Sequence, residues 1–178
     1  MNQERLQNQS DHPPVAVGSH PSARIADLAD CEAIARIYND GIASRQATFE
    51  TEPRTARDIA RWFDETHPTV VVEQSGEVVA FASTSSYRSR SCYKGVAEFS
   101  VYVTASHRRN GLGRMAMKRL IEEAQQAGFW KLVSRVFVEN KSSLTLLKSL
   151  GFREVGIYEK HGQVDGVWHD VVIVERLL

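Results

Sequence analysis

Residues Ser100 to Arg114 restrict what this chain can fold into more than any other stretch of it. An extended run, Ser100-Val101-Tyr102-Val103, ends in a loop holding Arg108, Arg109, Asn110, Gly111 and Gly113. An apolar helical stripe follows at once through Leu112, Met115, Ala116, Leu120, Ile121 and Ala124, and stops at Gly128. The first N–H groups of a helix have no intrahelical partners, and the helix dipole puts partial positive charge there. Glycines let backbone approach an anion closely, and Arg108, Arg109 and Arg114 add full charges. The strand–loop–helix therefore reads as a pyrophosphate site. A Walker loop would require Gly-Lys-Ser/Thr, which is absent, and a dinucleotide fingerprint would require a third glycine where Ala116 stands.

The periods on either side of this segment alternate. Residues 1–22 are polar, contain Pro13, Pro14 and Pro21, and read as a disordered tail; 23–178 reads as one domain. Ala23 to Ala26 is a short strand, and Asp30 is placed to cap a helix carrying Ile34, Ile37, Tyr38 and Ile42. Thr55 and Asp58 form a capping-box pattern ahead of Ile59, Trp62 and Phe63. Strands are predicted at Thr69–Glu73, Glu77–Thr84, Ala97–Val103 and Lys131–Val138, and a helix at Ser142–Leu150 closed by Gly151. Two last strands, Glu154–His161 and Asp170–Leu177, flank a Gly-rich turn. The order β-α-α-β-β-β-α-β-α-β-β implies an α/β domain with a mixed sheet and helices on both faces.

Composition narrows the classes of partner. Lys plus Arg and Asp plus Glu balance at 22 each, so the net charge exerts no pull toward nucleic acid or an anionic membrane. Anion binding must come from a local cluster. No stretch approaches the roughly 18 apolar residues of a membrane span, and the N-terminal residues lack the apolar core of a secretory signal. Cys31 and Cys92 make no disulfide framework, which points to the cytoplasm. His107, His161 and His169 show no metal-ligand spacing, so no metal is expected.

Arg108-Arg109-Asn110-Gly111-Leu112-Gly113 resembles the Q/R-x-x-G-x-G/A motif of the GNAT N-acetyltransferases. Asn140, Ser143 and Gly151-Phe152 match that family's second coenzyme A segment. The resemblance implies the GNAT fold, one mixed, mostly antiparallel twisted sheet with helices on both faces, and acetyl-CoA as acetyl donor without a metal. It assigns cofactor contacts to Val101, Tyr102, Val103, Arg108, Arg109, Asn110, Gly111, Leu112, Gly113, Arg114, Asn140 and Ser143. Within the family, the chain is most similar to the phosphinothricin and arsinothricin N-acetyltransferases. That likeness rests on Ile37-Tyr38-Asn39, Ala47 to Pro53, Ala97 to Val103 and Gly166 to Val171. It implies a small amino-acid acceptor, hence antibiotic resistance, and a homodimer.

Two guanidiniums stand two residues apart in the loop Tyr87 to Lys94, and each offers a planar fork for a carboxylate or tetrahedral oxyanion. The resemblance gives acceptor contacts to Phe49, Arg88, Arg90, Tyr93, Ser100, Arg135 and Val171. It makes Glu98 the base that takes a proton from the acceptor amine. Strand alternation puts Ala97, Phe99, Val101 and Val103 on one face and Glu98, Ser100 and Tyr102 on the other, so Glu98 faces either solvent or a cleft, and a cleft is expected. The resemblance breaks seven residues after Asn140, where relatives carry a Tyr or His acid and this chain has Leu147. Tyr158 or water is then left to protonate the thiolate. The final strand, Val171 to Leu178, is a candidate for pairing with a second subunit. Two alternatives stay open: an acceptor such as methionine sulfoximine, its sulfone or another small amine, and a non-catalytic acyl-CoA-binding module.

Overall fold

In the computed structural model, which describes residues 20–178, the elements follow in the order that the periodicities predict. Strand β1 (Ser22–Ile25) leads through a 3-10 turn (Leu28–Asp30) into helices α1 (Cys31–Ala43) and α2 (Ala56–Ala60). Strands β2 (Thr69–Gln74), β3 (Glu77–Ser86) and β4 (Val96–Val103) are followed by α3 (Leu112–Gln126), β5 (Lys131–Phe137) and α4 (Lys141–Ser149). The hairpin of β6 (Arg153–Val164) and β7 (Val167–Leu177) ends the domain. The tail expected over 1–22 lies outside the described residues apart from its last three, and Ser22 already belongs to β1.

The strands form one sheet in the order β1-β2-β3-β4-β5-β7-β6, antiparallel throughout except where β4 meets β5. One face packs α3 and α4 against Ala97, Phe99, Leu132, Val136 and Val172. The other packs α1 and α2 against Val71 and Phe81 through Ile34, Ile37 and Ile59. Burial on both faces explains why β2 reads as an unbroken Val70-Val71-Val72 run rather than an alternation. The α3 stripe is as read, with fully buried Met117 added to it and Met115 only partly covered. The Thr55–Asp58 capping box forms at the start of α2.

The structure corrects two local readings. Asp30 does not cap α1; Asp27 caps the 3-10 turn before it, and the Asp30 carboxylate forks onto the Arg24 guanidinium at 2.7 and 2.8 Å. A nearly buried carboxylate needs a cation more than a helix end needs a cap. The last two strands are also longer than expected, because Asp165-Gly166, both at positive φ, close a two-residue hairpin turn. As a result β7 is an interior strand, paired with β5 and β6, and the edge strands of the sheet are β1 and β6. The final strand therefore offers no free ladder edge for strand pairing over most of its length.

Burial alone would raise the Asp30 pKa, but hydrogen bonds from Arg24 and the Asp27 N–H hold it below the ordinary carboxylate range. A depressed folded-state pKa stabilises above the unfolded value, near 4, and the contribution is lost as pH falls through the folded value. Asp30→Asn is expected to cost about 2 kcal/mol at pH 7, between the surface and buried limits for an ion pair, because Arg24 is partly solvated. Urea unfolding of both proteins from pH 7 to pH 3 should show that difference shrinking toward the acid end.

Candidate active site

The sheet splits at its centre. Strands β4 and β5 pair in parallel for three residues each, Val96–Glu98 against Lys131–Val133. Beyond that, β4 stays paired with β3 as far as Val103, and β5 stays paired with β7 as far as Phe137. Each strand follows its outer neighbour, so a gap opens between residues 99–103 and 134–137, and the backbone facing it lacks a ladder partner.

Both strands run into helices at the open end of the gap, α3 after β4 and α4 after β5. Ligands of open α/β sheets settle outside the carboxyl ends of parallel strands for this reason: helix N-termini converge there. Gly111 is the N-cap of α3, left-handed at φ 77°, and makes no side-chain cap, so the first-turn N–H groups have no protein acceptor from that position. Arg109 is also left-handed at φ 68°, a strained conformation for a side-chain-bearing residue. Gly113 lets the helix start close on the sheet: a Cβ there would lie 3.3 Å from Leu146 and 3.4 Å from Val103. Arg108 and Arg109 are exposed and make no ion pair among the described residues, whereas Arg114 hydrogen-bonds the Ser149 hydroxyl at 2.6 Å.

Asn140 caps α4, its side-chain oxygen accepting the Ser143 N–H at 3.1 Å. Val101 and Val103 face α3, but the Tyr102 ring points the other way, stacked on Phe81 at 5.3 Å beneath α1. Burial pushes its phenol pKa well up. The gap can therefore be met by Tyr102 only through its backbone. Leu147 is 1% exposed and belongs to the α3–α4 core. Placing histidine there would bury an imidazole among apolar side chains. Leu147→His is expected to cost about 3 kcal/mol by loss of packing and desolvation, without raising kcat. Thermal unfolding and turnover assays on the same preparation check both halves. Tyr158 lies on β6 opposite Val171, with β7 and β5 between its strand and β4.

On the α1–α2 face, where β4 and β5 part, the Glu98 carboxylate meets the Arg135 guanidinium at 2.7 Å. The Glu98 side chain is a quarter exposed. Strand register brings Ser85 opposite Glu98 and Ser83 opposite Ser100. These serines, with Tyr38 and Trp62, line a cavity of about 490 Å³, together with the Arg54–Glu50 ion pair and His67, hydrogen-bonded to Asp64 at 2.8 Å. The loop after β3 starts one residue beyond Ser86, the partner of Ala97, and so lies at the Glu98 end of β4. Arg88, Ser89, Arg90 and Tyr93 line a second cavity there, of about 330 Å³, with the Arg88 guanidinium 5.2 Å from the Tyr87 ring centre.

Phe49 covers the far side, edge-on to Phe137 at 4.8 Å. Val171 is fully buried in the same cluster, under Phe49 rather than lining the cleft. His169 stacks on Phe137 at 4.6 Å, and its Nδ1 is buried without a hydrogen-bond partner. Sequence reasoning missed Ser83, Ser85 and Phe137. The Ser83-Thr84-Ser85-Ser86 run ending an apolar strand was the available signal for the first two. Among the described residues no group of three or more His, Cys, Asp or Glu side chains is arranged to hold a metal ion, and no helix is long and apolar enough to cross a membrane.

A sequence profile of the acetyltransferase (GNAT) family matches residues 34–152. Over 161 residues the chain is 34% identical to the L-amino acid N-acyltransferase MnaT of Escherichia coli (strain K12), covering 88% of this chain and 94% of that protein. It is 32% identical over 159 residues to the L-methionine sulfoximine/L-methionine sulfone acetyltransferase of Salmonella typhimurium (strain LT2), covering 87% and 93%. The crystal structure of a GNAT superfamily phosphinothricin acetyltransferase (Pat) from Sinorhizobium meliloti in complex with AcCoA superimposes with a TM-score of 0.82 at 28% identity, covering 89% of this chain and 88% of that one.

Proposed function

The chain belongs to the acetyltransferase (GNAT) family, and we propose that it acetylates the α-amine of a glutamate-like toxic amino acid such as phosphinothricin or arsinothricin, conferring resistance. Acetyl-CoA is the donor. The observation that carries the acceptor is the basic cavity of Arg88, Arg90 and Tyr93 at the same end of β4 as Glu98. Two guanidinium forks suit an amino acid with an anion at each end. The relatives named for phosphinothricin and methionine sulfoximine support an amino-acid acceptor.

In this reading Arg88, Arg90 and Tyr93 hold the acceptor's anionic groups, with Ser100 and Arg135 alongside and Phe49 above. Arg135 engages one Glu98 oxygen, and the other takes a proton from the α-ammonium, directly or through a water. The freed amine attacks the acetyl carbonyl, to whose oxygen a β4 N–H near Val101 donates. As the C–S bond breaks, the nitrogen releases its remaining extra proton to water, and because Leu147 offers no proton, water protonates the departing sulfur. Arg108, Arg109 and the N–H groups of Gly111 to Arg114 bind the pyrophosphate, and Asn140 and Ser143 flank the gap from α4.

The test is an acceptor panel at fixed acetyl-CoA, with thiol release followed by a colour reagent. Phosphinothricin or arsinothricin is expected to have the highest kcat/KM. Turnover of amines lacking an α-carboxylate, and of no amino acid, would sink the reading. A second acceptor class, the sulfoximine or sulfone of methionine, is favoured by the serine-lined cavity, whose hydroxyls suit an uncharged polar oxygen. The same panel separates the two.

The reading extends to a cytoplasmic homodimer. Cys31 and Cys92 are unpaired, as reducing conditions allow. Strand β6 is an unprotected edge of twelve residues that exposes Val155, Ile157 and Tyr158, the kind of edge that another chain covers. Ile157→Lys is expected to shift the sedimentation equilibrium from dimer to monomer; a monomeric unmodified protein would count against it.

A further inference from the structure

The segment between α1 and α2 crosses the split sheet as a strap. Arg45 Nε pairs with Asp165 Oδ2 in the hairpin turn at 2.9 Å, and the Ala47 carbonyl accepts from the Tyr102 hydroxyl at 3.4 Å. The Gln46 carbonyl lies 3.4 Å from the Asn140 amide nitrogen, which donates to it. Phe49 then closes over Phe137, Val164 and Val171. The strap thus touches β4, the cap of α4 and the β6–β7 hairpin, on both sides of the gap.

Beneath the Phe49 ring stands Gly162. A Cβ at this position would lie 2.6 Å from Phe49 Cε1, 2.9 Å from Cδ1 and 3.1 Å from Cζ. Gly162 pairs with His169 in β6 and is not among the glycines at positive φ, so backbone conformation does not call for glycine. Glycine within a strand weakens it, and the usual reason for one is a close approach by something else. Here the approaching group is a ring. The register slips between Tyr158 and Gly162, where Lys160 is left-handed and its N–H donates to the Asp170 carboxylate at 2.7 Å. That bulge sets which β6 residue faces Phe49.

We propose that Gly162 is a specificity-determining position: its missing side chain seats Phe49, and the seat sets the height of the strap above the Glu98–Arg135 pair. Phe137, under the ring, lies two residues along β5 from Arg135 on the same face, and Ile173 beside it pairs with Arg135. Lifting the ring therefore reshapes the cleft beside Arg135 first; the 3.4 Å bond from Asn140 to the Gln46 carbonyl ties the strap to the donor end as well, and acetyl-CoA KM reads any disturbance there. The inference rests on that cleft being the acceptor site.

Gly162→Ala, Gly162→Val, Phe49→Leu and the Phe49→Leu/Gly162→Ala pair test it. Because the obstructing atoms are the far end of a flexible side chain, Gly162→Ala should fold with an unchanged or raised Tm. Its acceptor KM should rise roughly tenfold, and further in Gly162→Val, with acetyl-CoA KM within about twofold. Leucine lacks the Cε1 and Cζ atoms that an alanine would meet at 2.6 and 3.1 Å and keeps only a Cδ1 that χ2 rotation can turn aside, so in the Phe49→Leu background the same substitution should change acceptor KM less than about twofold. Hydrogen exchange of the peptide covering 44–50 should quicken in Gly162→Ala. An unchanged acceptor KM, or an equal rise for acetyl-CoA, overturns the proposal. If the unmodified enzyme turns over no amino acid, the acceptor reading fails by itself and the exchange decides the seat: faster exchange upholds it, and unchanged exchange overturns it.

Discussion

Glu98→Gln is expected to lower kcat/KM for the amino-acid acceptor by about 10²- to 10⁴-fold, the usual range for removing a general base, while acetyl-CoA still binds. The glutamine amide keeps the shape of the carboxylate and can still accept from Arg135, but it cannot take a proton. Arg135 is 38% exposed and can be solvated when its partner loses charge, so thermal unfolding should move little. A collapse of activity is then chemical rather than structural. The acceptor enters as an ammonium and must lose a proton before attack, so the acidic limb of the kcat/KM profile should flatten in the variant. A variant that keeps the limb and most of its activity would move the base away from Glu98. Equilibrium binding of acetyl-CoA, followed by calorimetry, provides the control for the donor end.

Arg88→Ala/Arg90→Ala should raise the KM of an anionic acceptor by about 100-fold or more, since a hydrogen bond to a charged group contributes about 1.5–3 kcal/mol and two are removed. Both side chains are exposed and lie outside the two sheet-face cores, so the fold should not register their loss. Acetyl-CoA KM should be unchanged, because the loop lies at the opposite end of β4 from the α3 N-terminus. The substrate comparison is the sharper measurement. If the pair holds both anionic ends, phosphinothricin should lose more than methionine sulfoximine, whose side chain is uncharged. Equal losses would confine the arginines to the α-carboxylate and favour the sulfoximine class. Raising the salt concentration should weaken the anionic acceptor in the unmodified enzyme and have less effect in the variant.

The two halves of the site were unequally legible. Arg108 to Arg114 lie together in the chain, and a strand entering a helix through a glycine loop brings their charges and unpartnered N–H groups together by local geometry. Nothing distant has to be known. Asn140 and Ser143 are local in the same way, as a cap and its third residue. Tyr102 shows the limit of that reasoning. It lies in sequence among residues that the family resemblance assigns to the cofactor, yet alternation turns its ring to the opposite face, where α1 buries it. The same alternation left Glu98 with two possible faces. Which of them became the cleft depended on α3 choosing the Ala97 and Phe99 side, a packing decision made between elements.

By itself the sequence determined the order of the elements, the α/β class and the donor end of the reaction, because each depends on contacts between near neighbours in the chain. Tertiary structure alone decided that Arg135 meets Glu98, that Ser83 and Ser85 face the same cleft and that β7 lies inside the sheet. It also decided that Phe49 rests on Gly162, 113 positions away in the chain by subtraction of their numbers. These pairings follow from strand register and from a bulge, and shifting register by one residue turns every side chain to the other face. Such a choice is made by the summed packing of the whole sheet, so no local pattern in the chain records it.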